Sequence, residues 1–308
     1  MTRRRLRSLV CAGLVLATAA LATVAVAEPI TVRHAQGQTV LPGVPAKVVV
    51  TDWAAFDNLD ALGVPVAGVP GSATPPYLGS RIGADVPRVG SLQEPDVEAI
   101  AAEAPDLVIV ASRSRTALPT LSQVAPTIDM TVDNADLVGG VRANLLEYGR
   151  IFAREAKAGE LVAALDARIA EARAALAGKG TGLVLVVNGG RLGVYGPGSR
   201  TAWIFEALGV PPASGATDSR DHGGDAVSFE YLVERNPDWL FVVDRDAGIG
   251  NAGTAHQVLD NELIRGTRFW REKRIVYLDP AAAYVTMHGV SGLMLMLDQI
   301  IARAQDAS

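Results

Sequence analysis

Cysteine is nearly absent from this 308-residue sequence; Cys11 is the only one, and it lies close to the start. A chain with a single cysteine cannot close a disulfide within itself and cannot build a cysteine-rich metal cage. Histidine is scarce as well. His34, His222, His256 and His288 are the four, and none stands at H-x-H or H-E-x-x-H spacing, so zinc-hydrolase chemistry has little support. Nucleophile motifs are missing too. Gly289-Val-Ser-Gly-Leu293 breaks the G-x-S-x-G pattern, and no G-x-G-x-x-G directly follows an apolar strand. Gly196-Pro-Gly-Ser-Arg200 is no P-loop, because no Gly-Lys-Ser/Thr follows it. There is no repeat, low-complexity tract or heptad run.

What is present starts at the N-terminus. Arg3, Arg4, Arg5 and Arg7 precede an apolar run from Leu9 to Val26, which ends in Ala25-Val26-Ala27. A positive start, an apolar middle and a small-x-small site are the three parts of a secretory signal, so residues 1–27 are expected to be a signal peptide and the protein to reside in the periplasm. An uncleaved anchor is the rival reading. Cys11 sits too early in the run, after Ser8-Leu9-Val10, to serve as a lipoprotein cysteine. Cleavage would remove four arginines and no acid, taking the formal net charge from −5 to −9. A body this acidic disfavours nucleic acid and anionic membrane, which are bound mainly through excess Lys and Arg. An anionic ligand would need local arginines to reverse that field.

The remainder predicts an α/β fold. Val48–Val50 and Leu107–Val110 are short β-branched runs of the kind found in buried parallel sheets, and helical patterns over 54–62 and 97–104 alternate with them. Between 141 and 178, Leu161, Leu165, Ile169, Ala172 and Leu176 recur at helical steps until Gly178-Lys179-Gly180. One long helix of about 35 residues would span about 50 Å, enough to cross between two lobes; two ordinary surface helices are the alternative. A second α/β unit follows, with a hairpin over 183–195, a helix over 229–235, strands over 240–243 and 275–278, and a final helix over 290–304. The expected organisation is therefore an N-terminal lobe over 28–140, an interdomain helix over 141–178 and a C-terminal lobe over 179–308.

Five side chains carry the chemistry. Arg113 follows the strand ending near Ala111, with Arg115 as its neighbour. Arg200 closes a Gly-rich turn expected to open a helix at Thr201, where free N–H groups attract anions. His222 sits in the flexible tip Asp221-His-Gly-Gly224. Arg245 follows a strand beside Asp244 and Asp246, and Tyr284 follows Asp279-Pro280. Strand ends and Gly-rich loops are where α/β proteins bind ligands. Three guanidinium groups can hold a multiply charged anion, while an imidazole and a phenolate can complete the shell of a hard ion such as Fe(III). Taken singly, each has a plainer reading as a solvated, ion-paired or packing residue.

Longer stretches resemble a known family. Gly90-Ser-Leu-Gln-Glu-Pro-Asp-Val-Glu98, Ala104-Pro-Asp-Leu-Val-Ile-Val110, Ser228-Phe-Glu230-Tyr-Leu-Val-Glu-Arg-Asn-Pro-Asp-Trp239, Leu259-Asp-Asn-Glu-Leu263 and Val276-Tyr-Leu-Asp-Pro280 are similar to the periplasmic binding proteins of ABC importers for ferric siderophores and cobalamin. The catecholate-siderophore branch matches best, over nearly all of residues 30–305. The resemblance implies two Rossmann-like lobes joined by a single rigid helix, a shallow cleft, no catalysis, no intrinsic cofactor, and an Fe(III)-siderophore as the transported ligand. It implies arginine contacts to catecholate oxygens from Arg113, Arg200 and Arg245, and iron ligation by His222 and Tyr284. It also implies docking of Glu98 and Glu230 on an inner-membrane permease by a monomeric carrier, with Glu94 the weaker candidate in the first lobe. Two departures stand out. Ala281-Ala-Ala283 replaces aromatic residues common in relatives, which would leave a roomier cleft, and His288 follows Tyr284 as a possible substitute for His222. Other readings are the same fold binding haem, cobalamin or a ferric hydroxamate, and a secreted α/β enzyme with metal-assisted chemistry.

Overall fold

A computed structural model describes residues 28–215 and 224–307. The chain begins with an antiparallel ribbon, β1 (Ile30–His34) and β2 (Gly37–Leu41). β3 (Val48–Val50), β4 (Leu107–Val110) and β5 (Thr127–Asp129) then form a parallel sheet in that order. Single parallel bridges from Val49 to Gly68 and from Val69 to Arg88 extend its edge. Every residue of β3, β4 and β5 is buried, as expected for strands covered on both faces. Helices α1 (Trp53–Ala61) and α2 (Val97–Ala102) belong to this lobe. Asp52 starts α1 by accepting hydrogen bonds from the amides of Ala54 and Ala55, and Asp96 does the same for α2.

The single helix expected over 141–178 is two helices in the structure. α3 (Leu137–Ile151) and α4 (Glu155–Leu176) pack side by side, with Arg142 in α3 paired to Asp166 in α4. The break falls at Phe152-Ala153-Arg154, where Ala153 adopts φ 52°. A close approach at Gly149 seals the corner: a Cβ there would lie 2.6 Å from the Cβ of Ala158. Both helices serve two cores. Leu137, Val141, Leu145, Leu165, Ile169 and Leu176 pack into the C-terminal lobe. Tyr148, Ile151, Phe152 and Ala158 pack into the N-terminal one. Helical periodicity extends over the whole span, but the turn rests on one residue in an uncommon backbone conformation, and alanine does not advertise it.

The C-terminal lobe holds a five-stranded sheet. Its strands are β6 (Gly182–Asn188), β7 (Arg191–Tyr195), β8 (Asp225–Val227), β9 (Trp239–Asp244) and β10 (Ile275–Tyr277). They lie in the order β10-β9-β6-β7-β8. β10, β9 and β6 run parallel; β7 and β8 run antiparallel to their neighbours. β6 and β7 form the expected hairpin, with Asn188 opposite Arg191 and Gly189-Gly190 as the turn. α5 (Phe229–Arg235) begins at the cap Ser228 and ends at Asn236 in the left-handed region. α6 (Pro280–Tyr284) and α7 (Val290–Asp306) complete the lobe.

A buried polar seam ties the lobes together. α7 starts at Gly289, which has no side chain to cap it. The N-terminal lobe supplies the missing acceptors. Asp57 accepts from the amides of Ser291 (3.2 Å) and Gly292 (2.9 Å), and from the hydroxyl of Tyr77 (3.0 Å). Asn58 accepts from the Val290 amide and donates to the His288 carbonyl. Tyr77 also meets the Thr286 hydroxyl at 2.7 Å. Asp57 and Asn58 are 0% and 1% exposed, so these contacts are shielded from water and screened little by salt. Burial pushes both the Asp57 carboxyl and the Tyr77 hydroxyl up from their ordinary pKa values.

Candidate functional site

Four of the five side chains singled out in the sequence meet between the lobes, around one phenol ring. Tyr284, 5% exposed, ends α6. The guanidinium carbons of Arg200, Arg245 and Arg113 lie 5.3, 5.4 and 5.6 Å from its ring centroid, within cation–π range. Arg245 Nε donates to the Tyr284 hydroxyl at 3.0 Å, and Arg113 donates to the Tyr284 carbonyl at 3.0 Å. Three permanent positive charges therefore surround a single aromatic ring.

Each arginine arrives by a different route. Arg113 lies beyond the C-terminal end of β4, where Ser112 turns the chain at φ 48° and donates its amide to Thr131. Arg245 is the first residue after β9. Its Nη1 donates to the Asn188 side chain at 3.1 Å, while Asp246 stands 3.7 Å away. Asp244 does not neutralise it, because its carboxylate accepts the amides of Ala247, Thr254 and Ala255 instead. Arg200 is 8% exposed and lies 6.0 Å from the Tyr195 ring as well. Burial, with Arg113 nearby, lowers its pKa from the ordinary arginine value.

Some expectations change. Arg200 does not open a helix at Thr201. The nearest helix is the four-residue Trp203–Glu206, and the amides of Thr201 and Ala202 are already taken by Ser199. Arg200 acts through its side chain and not through a helix end. Arg115 is exposed, and its carbonyl accepts from Gln36. Ala281, Ala282 and Ala283 are buried at 3%, 0% and 3%; the latter two pack in the core of the lobe, so the alanine run does not widen the cleft. His222 lies outside the described residues.

His288 does lie near the cluster. Its Nε2 is 3.1 Å from Asn134 Oδ1, and its Nδ1 is 3.4 Å from Ser112 Oγ. Burial, then the charges of Arg200 and Arg113, push its pKa down to about 4. At neutral pH it is an uncharged imidazole within reach of the Arg200 and Arg113 charges. Asp52, fully buried nearby, moves the other way, to about 6, because burial outweighs its amide hydrogen bonds and Arg113. Sequence reasoning missed Asn188, Asn134 and the Asp57–Asn58 pair. A polar pair inside the apolar helix Trp53-Ala-Ala-Phe-Asp-Asn-Leu59 was the available signal for the last.

One further loop touches the opposite lobe. Gly248-Ile-Gly250-Asn-Ala-Gly253 has G-x-G-x-x-G spacing but follows a short helix. Gly250 approaches the other lobe so closely that a Cβ there would lie 2.7 Å from Ala73 Cβ. The spacing here serves contact between the lobes. Among the described residues no cluster of three His, Cys, Asp or Glu side chains could hold a metal ion, and no helix is long and apolar enough to cross a membrane. The two glutamates expected at a docking surface are both exposed. Glu98 and Glu230 occupy the second helical position of α2 and α5, after the caps Asp96 and Ser228, and each helix leads into a buried strand, β4 or β9.

Comparison with known proteins agrees with this architecture. The sequence profile of the family described as periplasmic binding protein matches residues 48–282. The petrobactin-binding protein YclQ of Bacillus subtilis is 34% identical over 89% of this chain and 87% of its own length, and its crystal structure superposes with a TM-score of 0.85, covering 90% of this chain and 99% of that one. The ferric-anguibactin-binding protein FatB of Vibrio anguillarum is 31% identical over 96% of this chain and 95% of its own. The siderophore-binding protein BauB, solved with ferric iron and two molecules of acinetobactin, is 32% identical with a TM-score of 0.82, over 90% of this chain and 99% of that one. This family consists of substrate-binding proteins and not of enzymes. With two α/β lobes, a helical pair between them and a cluster of charge in the cleft, this chain belongs to the periplasmic binding protein family.

Proposed function

We propose that this protein is the extracytoplasmic receptor of an ABC importer, and that it holds a ferric siderophore of anionic, catecholate type in its cleft. The observation that carries the reading is the convergence of Arg113, Arg200 and Arg245 on Tyr284 at 5.3–5.6 Å. Ferric catecholates are anionic and present oxygen atoms at their surface. Guanidinium groups stay protonated, donate several hydrogen bonds in a fixed fork and are less strongly hydrated than ammonium groups. The names of YclQ, FatB and BauB, which bind petrobactin, ferric anguibactin and an acinetobactin–iron complex, support the same class of cargo.

In this reading the iron is cargo and the protein supplies charge and donors. Tyr284 and His222 take coordination positions that a tetradentate chelator leaves open, and the ferric ion drives off the phenol proton. Arg245, already bonded to the Tyr284 hydroxyl, offsets the resulting phenolate charge. Glu98 and Glu230 provide one exposed carboxylate per lobe for a two-point grip by the permease. The carrier is monomeric and periplasmic.

The test is a pair of titrations in one buffer. A ferric bis-catecholate is expected to quench tryptophan emission at far lower concentration than ferric desferrioxamine, a hydroxamate. Equal or reversed affinities would remove the catecholate assignment. Visible spectroscopy then examines ligation: Tyr284→Phe and His222→Ala are each expected to abolish part of the shift of the charge-transfer band on binding. Unchanged spectra in both variants would leave arginine binding in place and rule out direct ligation.

A further inference from the structure

The outer edge of the C-terminal lobe carries a second hollow that shares no residue with the cleft cluster. β10 is the last strand of its sheet, and beyond it lies an open cavity of about 680 Å³. That volume falls within the roughly 300–1,000 Å³ typical of small-molecule sites. Its charge is one-sided. Arg265 is neutralised by Asp260 at 2.6 Å, but Arg271, Lys273 and Arg303, which also line the cavity, make no ion pair among the described residues. They come from three different places: the helix Arg268–Arg271, the turn before β10, and α7. Three cations with no ion pair among the described residues stand around one hollow, and in a chain of formal net charge −5 they attract anions locally against the general field.

The walls are aromatic. The His256 ring stacks on Tyr277 with centroids 3.6 Å apart and planes 20° apart. Trp270 stands in the same wall. It is half-buried, whereas Trp53, Trp203 and Trp239 are 0%, 3% and 1% exposed. An indole and an imidazole–phenol stack offer flat faces, and the guanidiniums offer forks that match a carboxylate. An added peptide strand suits the place less well. β10 has three residues, and alternation along a parallel strand leaves only the backbone groups of Ile275 and Tyr277 facing outward.

We infer that this hollow is a second binding site, for a small, flat aromatic carboxylate in its metal-free form. The carboxylate pairs with Arg271, Lys273 and Arg303, and the ring lies along the Trp270 and His256 wall. The site is independent of what the cleft carries.

Metal-free salicylate is the probe, titrated into the full protein in chelator-treated buffer and followed by calorimetry and by Trp270 emission. Saturable binding with quenching is expected, with the quenching lost in Trp270→Phe while the heat remains. R271E/K273E, both at exposed positions, is expected to weaken salicylate binding about ten-fold or more. The same variant is expected to leave ferric catecholate binding in the cleft unchanged. Arg245→Ala separates the two basic sites: it is expected to leave the salicylate isotherm intact. Four outcomes overturn the inference. They are no saturable binding up to about 10 mM, an unaltered isotherm in R271E/K273E, loss of salicylate binding in Arg245→Ala, and equal affinity for citrate or hexaglutamate. The last would mark a general basic patch or a site for acidic peptide. Arg303→Gln, with the fold checked by circular dichroism, provides a second independent arm, and unaltered binding in this variant would also count against the site.

Discussion

The two lobes meet in two ways, and the meetings are made of opposite materials. Along the seam, Asp57 and Asn58 accept from the start of α7, and Tyr77 links Asp57 to Thr286. Donors and acceptors match there, and water is kept out. In the cleft, Arg113, Arg200 and Arg245 crowd one tyrosine, with Asp246 3.7 Å from Arg245. A balanced buried network rigidifies, because breaking any member orphans another. Guanidinium groups gathered round one ring instead offer donors and positive charge to an arriving anion. The contrast divides the labour: the seam sets the distance between the lobes, and the cleft uses that distance.

The sharpest way to break the contrast is at the seam. Asp57→Ala would leave the Ser291 and Gly292 amides without their acceptor and take from Tyr77 one of its two partners, at a cost of about 3–5 kcal/mol. Urea denaturation is expected to show a lower midpoint with an unchanged slope. A loss of less than about 1 kcal/mol would mean that the seam is no stronger than a surface contact.

Acid titration examines the boundary between the two regions, where Asp52 and His288 are displaced in opposite directions. Asp52 titrates near 6 in the folded protein against an ordinary value of 3.8. Its proton therefore stabilises the fold at low pH, and that contribution is lost as pH rises from about 4 to 6. His288, near 4 against an ordinary 6.5, behaves in reverse: its neutral form adds stability as pH rises through the same interval, complete above about 6.5. The contributions amount to at most about 3 kcal/mol for Asp52 and about 3.5 kcal/mol for His288, because a tenfold change in proton affinity is worth roughly 1.4 kcal/mol. In the wild-type protein the two contributions oppose each other between pH 4 and 6. Asp52→Asn, which preserves the helix cap, should unmask a rise with pH, and His288→Gln a fall. Parallel profiles for all three proteins would contradict both assignments.

In the cleft, Arg245→Ala is expected to weaken ferric catecholate binding by about 1.5–3 kcal/mol, the scale of a hydrogen bond to a charged group. Arg245→Lys should recover little, since an ammonium cannot reach Asn188 and the Tyr284 hydroxyl together. Tryptophan quenching measures both. The smallest expected effect on binding is at the docking glutamates. Charge reversal of Glu98 and Glu230 should leave cleft affinity nearly unchanged and block iron uptake by cells that depend on this receptor, since exposed complementary charge governs encounter and orientation. Normal uptake would remove the docking role.

Much of this comparison is legible in residue patterns, and unevenly so. Strands such as β4 and β9 announce themselves because both faces are buried and every position is apolar or nearly so. α5 is bounded to the residue, since Ser228 and Asn236-Pro237 are local signals. β1 and β2 escape notice because each buries a single residue and alternates weakly, and β5 and β8 because an aspartate takes up one of their three positions. The arginines and Tyr284 can be nominated because charged residues after apolar strands face the ends of a sheet. Their convergence on one ring cannot, because Arg200 reaches it from a strand that runs the other way. The seam is least visible. Asp57 and Asn58 serve a helix that starts more than two hundred residues later, and no local pattern encodes a cap donated from so far away.

The paired helices have a consequence for how the chain can be cut or recombined. α3 and α4 are shared walls: the ends that meet at Ala153 close one hydrophobic core, and the opposite ends close the other. Neither half of the protein owns them. A fragment that stops before Leu137 exposes the apolar surface meant for Tyr148 and Phe152, and a fragment that begins at Gly182 loses Leu165, Ile169 and Leu176. The two clusters that share these walls are therefore expected to melt together, and grafting one lobe onto a relative means carrying the helical pair with it.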